Sequence, residues 1–66
     1  MLKLSYDNDG DIMEIRFSEN PIEESEYIED SGIIVDYDKY KKIVAIEIIS
    51  FSKRVYKEEV KEALVI

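Results

Sequence analysis

Sixteen acidic side chains, no histidine and no cysteine define what this 66-residue chain can do chemically. Without thiolates or imidazoles it has neither a disulfide framework nor the ligands of a structural zinc site. The nearest approach to a metal motif is the alternation Asp7, Asp9, Asp11. A calcium loop of the EF-hand type, about twelve residues long, wants glycine at its sixth position and a bidentate glutamate at its twelfth. Counted from Asp7, those positions hold Ile12 and Ser18. The aspartates therefore read as turn residues whose side chains bond their own backbone. No nucleophile stands with a base and no glycine-rich phosphate loop occurs, so the sequence assigns no catalytic, metal or cofactor residues and points away from an enzyme.

Two groups of residues remain as candidate sites. Tyr6-Asp7 recurs 31 residues later as Tyr37-Asp38, and a quasi-symmetric polar cluster of these four could line one end of a sheet and serve a small-ligand-binding or minor enzymatic domain. The plainer reading makes each tyrosine a core cap with a wet hydroxyl and each aspartate a turn opener. The acidic run Glu23, Glu24, Glu26, Glu29 could offer a surface to a basic partner; its plainer reading is solubility and protection of a sheet edge.

Positioning these residues falls to a duplicated hairpin. Leu4-Ser5-Tyr6-Asp7 with Ile12-Met13-Glu14-Ile15 is matched by Val35-Asp36-Tyr37-Asp38 with Ile43-Val44-Ala45-Ile46. Each copy is an alternating apolar run, a polar turn and a second alternating run. In the first copy Leu2, Leu4 and Tyr6 share one face, as do Met13, Ile15 and Phe17, with Ile12, Glu14 and Arg16 opposite. Asp7 to Asp11 form the turn, with Gly10 as its candidate for positive φ. In the second, Ile33, Val35 and Tyr37 oppose Ile34 and Asp36, and Val44, Ile46 and Ile48 oppose Ile43, Ala45, Glu47 and Ile49. This last strand is apolar on both faces and belongs in the middle of a sheet.

The expected organisation is one domain over 1–66: hairpin one at 1–17, an acidic connector or edge strand at 18–32, hairpin two at 33–49 and a C-terminal helix at 52–65. Asn20-Pro21 ends the first hairpin, 22–29 reads as extended, and Asp30-Ser31-Gly32 reverses the chain. Tyr56, Val60, Ala63 and Leu64 follow a helical period, with Ser50 or Ser52 as N-cap. The predicted class is therefore α+β, an antiparallel sheet of four or five strands with one helix across the face carrying Leu2, Leu4, Met13, Ile15, Phe17, Val35, Val44, Ile46 and Ile48.

Charge is divided along the chain. Residues 1–38 hold twelve acids against Lys3 and Arg16, whereas 39–66 hold seven bases against four acids, within a net charge of −7. The acidic half would repel a phosphate backbone, which argues against nucleic acid and for a basic protein partner. A domain this small removes only about 60% of its unfolded surface from water, and Ile12, Ile34, Ile43, Ala45 and Ile49 form an apolar stripe on the second face, so a homodimer is expected. No run approaches the ~20 apolar residues of a membrane span and no signal peptide is evident, which predicts a cytoplasmic protein.

The chain resembles a small prokaryotic family, domain of unknown function 2283. The resemblance is carried by Tyr6-Asp7, Asp11 to Phe17, Glu24-Ser25-Glu26, Gly32 to Asp38, Ile43-Val44, Ile46-Glu47-Ile48 and Ser52. Its most specific part is Gly32 to Asp38 with Ile46-Glu47-Ile48. Lys41 and Ala45 stand where the family places glycine, and Phe51 where it places alanine. The resemblance implies a compact antiparallel sheet and carries over no substrate, cofactor or catalytic residue. Through members encoded beside small toxin-like proteins, it also implies an antitoxin-like, partner-binding role.

Overall fold

The structure, a computed structural model, describes residues 2–55. The alternating runs form five strands: β1 (Lys3–Asp7), β2 (Ile12–Arg16), β3 (Glu24–Ile28), β4 (Ile33–Tyr37) and β5 (Ile43–Ile49). They make one antiparallel sheet in the order β1-β2-β5-β4-β3. The doubly apolar β5 takes the centre, as burial on both faces requires. Hairpins β1–β2 and β4–β5 meet through their second strands. The 31-residue repeat carries Ile15 onto Ile46, and these two residues pair directly, so a local two-fold relates the hairpins about that pair. The connector supplies β3 as an outer strand beside β4, all five of its residues exposed.

Both hairpin turns need left-handed backbone, and neither obtains it from glycine. In the first the positive φ falls on Asp11 (54°) rather than on the expected Gly10; in the second it falls on Lys41 (63°). The second turn stays tight because Asp38 holds it. Its Oδ1 accepts the Tyr40 and Lys42 N–H groups at 2.8 and 3.0 Å, and its backbone N–H donates to the Lys42 carbonyl at 2.9 Å. Those bonds offset the modest cost of αL for a residue with a Cβ. Gly32 does use its freedom, with φ +71° and the Arg54 guanidinium lying where a Cβ would stand.

The predicted α+β class is corrected. Among the described residues the fold is all-β, with a single 3-10 turn at Phe51–Lys53 and no α-helix. The proposed caps are engaged elsewhere. Ser50 is left-handed (φ 56°) and makes no side-chain cap. Ser52 turns to the β1–β2 turn, donating from its N–H to Asp11 Oδ1 at 3.0 Å and from its hydroxyl to Asp11 Oδ2 at 2.7 Å. The Phe51 N–H donates to the Asp11 carbonyl at 3.0 Å. Residues 56–65 of the expected helix lie outside the described residues.

Asp11 thus fastens the end of β5 to the first turn, and Tyr6 reinforces it by donating its hydroxyl at 2.6 Å. Hydrogen bonds from Tyr6 and Ser52 hold the Asp11 carboxyl below its ordinary pKa, because they favour the ionised form. A depressed acid stabilises the fold above its unfolded pKa, and that contribution disappears as pH falls through the folded value. Asp11→Asn should therefore lower the thermal midpoint at pH 6 and make no difference near pH 2. Melting curves of both proteins at the two pH values check this; an equal deficit at both would show that the carboxylate charge is not what the anchor uses.

A single-layer sheet buries little. Among the described residues only Met13, Val44 and Ala45 are buried apolar side chains, and Asp36 and Asp38 are buried beside them. Around Met13 and Val44 lies the face of Leu4, Tyr6, Ile15, Phe17, Val35, Ile46 and Ile48. On the opposite face, around Ala45, the apolar pattern is interrupted by carboxylates.

Candidate functional site

Glu14 on β2 and Glu47 on β5 stand directly opposite each other in the antiparallel register. Asp36 on β4 pairs with Ala45, two residues along β5 from Glu47 and on the same face. The three central strands therefore bring together three carboxylates distant in sequence, with one oxygen of each within 4.8 Å of the others. Like charges directly across a ladder are destabilising. Three conditions maintain this arrangement here: a small neighbour, a hydrogen bond and a proton.

Ala45, the small neighbour, leaves room for Asp36, which is 1% exposed. Ser25, opposite Asp36 on β3, donates its hydroxyl to Oδ1 at 2.5 Å. Oδ2 is buried and accepts from no N–H or hydroxyl among the described residues. The Glu47 carboxyl lies beside Asp36, and its pKa is pushed up to about 7. The causes, in order, are its hydrogen bond with Asp36, burial, and the negative charges of Asp36 and Glu14, opposed by Arg16. Below about pH 7 Glu47 therefore holds its proton and can donate it in a hydrogen bond to Asp36. Arg16 offsets only one charge of the trio at close range, because its guanidinium donates to Glu14 at 3.3 and 3.5 Å and to the Ser18 carbonyl at 3.4 Å. A shallow hollow of about 280 Å³, lined by Ser5, Tyr6, Asp7, Ile12, Glu14 and Glu47, opens beside two of the three acids. Chemically, the arrangement can hold a proton between carboxylates or present oxygen ligands to a hard cation.

The residues expected to form sites fall elsewhere. Tyr6 and Tyr37 share a face, but β1 and β4 are three strand positions apart, roughly 14 Å at ~4.8 Å per strand. Each pair is occupied locally: Tyr6 with Asp11, Asp7 Oδ1 with the Asp9 N–H at 3.1 Å, Tyr37 with Glu26 Oε1 at 3.1 Å, and Asp38 with its turn and Asn20 Nδ2 at 3.1 Å. The two Tyr-Asp pairs are thus not one cluster. Glu24 and Glu26 lie on β3, with Glu23 and Glu29 immediately flanking it, all exposed along the open edge.

Glu14, Asp36 and Glu47 were not among the candidates, although the sequence carried a signal. Each is an acid inside an apolar run (Ile12-Met13-Glu14-Ile15, Ile34-Val35-Asp36-Tyr37, Ile46-Glu47-Ile48), and period-two phase puts each opposite its run's Met13, Val35 or Ile46. Their convergence required knowing that β2, β5 and β4 are adjacent in that order.

The family described as protein of unknown function (DUF2283) matches residues 3–52, from the start of β1 through the 3-10 turn, and the chain belongs to it. No curated protein and no solved structure matches. Among the described residues no helix is long and apolar enough to cross a membrane.

Proposed function

With membership of that family as the premise, we propose that this chain is a small non-catalytic binding module, antitoxin-like in role, whose acidic edge engages a basic protein. The observation that supports this is the placement of Glu24 and Glu26 on the outer strand β3, with Glu23 and Glu29 flanking it, beside a row of backbone groups with no strand beyond them among the described residues. An open edge accepts an added strand through main-chain hydrogen bonds, and the glutamates select a basic one while repelling a second copy of themselves. Pairing two copies through the stripe of Ile12, Ile34, Ile43, Ala45 and Ile49 would instead bring two carboxylate clusters towards each other. We therefore assign partner binding to the edge rather than to that face.

Such an interaction is steered by exposed charge and weakens with salt. Capture from native lysate at low ionic strength should retain a basic protein that is released on raising the salt. It should also be lost from the double charge reversal Glu23→Lys, Glu26→Lys, with the thermal midpoint little changed because both positions are exposed. No captured protein, or one indifferent to the reversal, rejects the reading.

A further inference from the structure

We propose that Glu14, Asp36 and Glu47 form a binding site for a hard divalent cation, such as calcium, on the polar face of the sheet. The proposal is independent of the edge interaction above. Its donor set is all oxygen and comes from three adjacent strands, which is the chemistry of hard cations. One oxygen of each acid lies within 4.8 Å of the other two, close enough for a single ion to reach all three.

The second observation is independent of the clustering. Asp36 is 1% exposed and its Oδ2 accepts from no N–H or hydroxyl among the described residues, which leaves the Glu47 carboxyl or a bound cation to meet its charge. The other oxygen is fixed by Ser25, which orients the carboxylate as partners of metal ligands do. The hollow beside Glu14 and Glu47 gives an entry path and room for the waters that complete six to eight ligands in a calcium shell. Arg16 contacts Glu14 alone among the three acids, so it can remain in place on one flank.

Titration of the full chain with calcium at pH 8, after removal of metals with EDTA, should give saturable binding of one ion per chain and a rise in thermal midpoint. Tyrosine-sensitised terbium luminescence should report the same site and be competed away by calcium. Asp36→Asn and Glu47→Gln should each weaken calcium by at least about tenfold, whereas Asp9→Asn, in the exposed first turn, should not. Neither site variant is expected to melt below the EDTA-treated wild type, because each removes a repelling charge; if Asp36→Asn fails to fold, Glu47→Gln carries the comparison. Two results would overturn the proposal: absence of saturable binding up to about 10 mM, beyond the weakest ordinary calcium modules, or binding of several ions that no site variant alters, which is general attraction to an acidic chain.

Discussion

Replacing Glu47 by glutamine should stabilise the protein at pH 8 and leave it nearly unchanged at pH 5, in metal-free buffer. The folded protein raises this carboxyl from an ordinary 4.5 to about 7, so between those values the native state binds more protons than the unfolded chain. Stability therefore falls as pH rises through that window, and the cost is full above it. A shift of this size, reduced for a side chain that solvent still reaches, is worth on the order of 1–3 kcal/mol. In a domain of this length each kcal/mol moves the midpoint by roughly 4–8 °C. Glutamine keeps the shape and can still hydrogen-bond Asp36, but adds no charge. Melting curves from pH 5 to 8 should thus show a falling wild-type midpoint and a much flatter one for Glu47→Gln; parallel curves would reject the coupling.

The largest loss of stability is expected at Met13. Met13 is 5% exposed, and its strand neighbours Tyr6 and Ile48 flank it in the register. Truncation to alanine removes most of a buried side chain and leaves a cavity, at about 2–5 kcal/mol. With so few buried apolar residues to share the load, that is comparable to the whole stability of a domain this small, so Met13→Ala should be largely unfolded at 37 °C. Leu2, also on the apolar side of its run but 66% exposed, gives the comparison: Leu2→Ala should cost about 0.5 kcal/mol or less. Urea unfolding followed by circular dichroism measures both, and similar midpoints would mean that Met13 is not the centre of the core.

Local pattern revealed the strands well. Period-two alternation and the 31-residue repeat placed both hairpins, because side-chain direction in a strand is set by sequence parity alone. The start of the expected C-terminal helix, at Ser50 and Ser52, is corrected because its caps are judged by residue type. Ser52 is a good N-cap in isolation, but Asp11, 41 residues away in sequence, offers its side chain a charged acceptor. Gly10 was likewise the natural candidate for positive φ, whereas Asp11 adopts it and gains its bonds to Tyr6 and Ser52. The carboxylate site was half legible: parity put Glu14, Asp36 and Glu47 on one side of their strands. What brings them together is the meeting of β2 with β5 at the local two-fold, a pairing between hairpins that no short-range pattern encodes.

The site's central claim, that Glu14, Asp36 and Glu47 act as one electrostatic unit inside the sheet, is tested most directly by a carbon-detected NMR titration of the side-chain carboxyls in metal-free buffer. The Glu47 carboxyl should titrate near pH 7, and its midpoint should fall towards the ordinary glutamate range in Asp36→Asn, which removes the largest cause of the shift. A Glu47 midpoint near 4.5 in the wild-type protein would contradict the account.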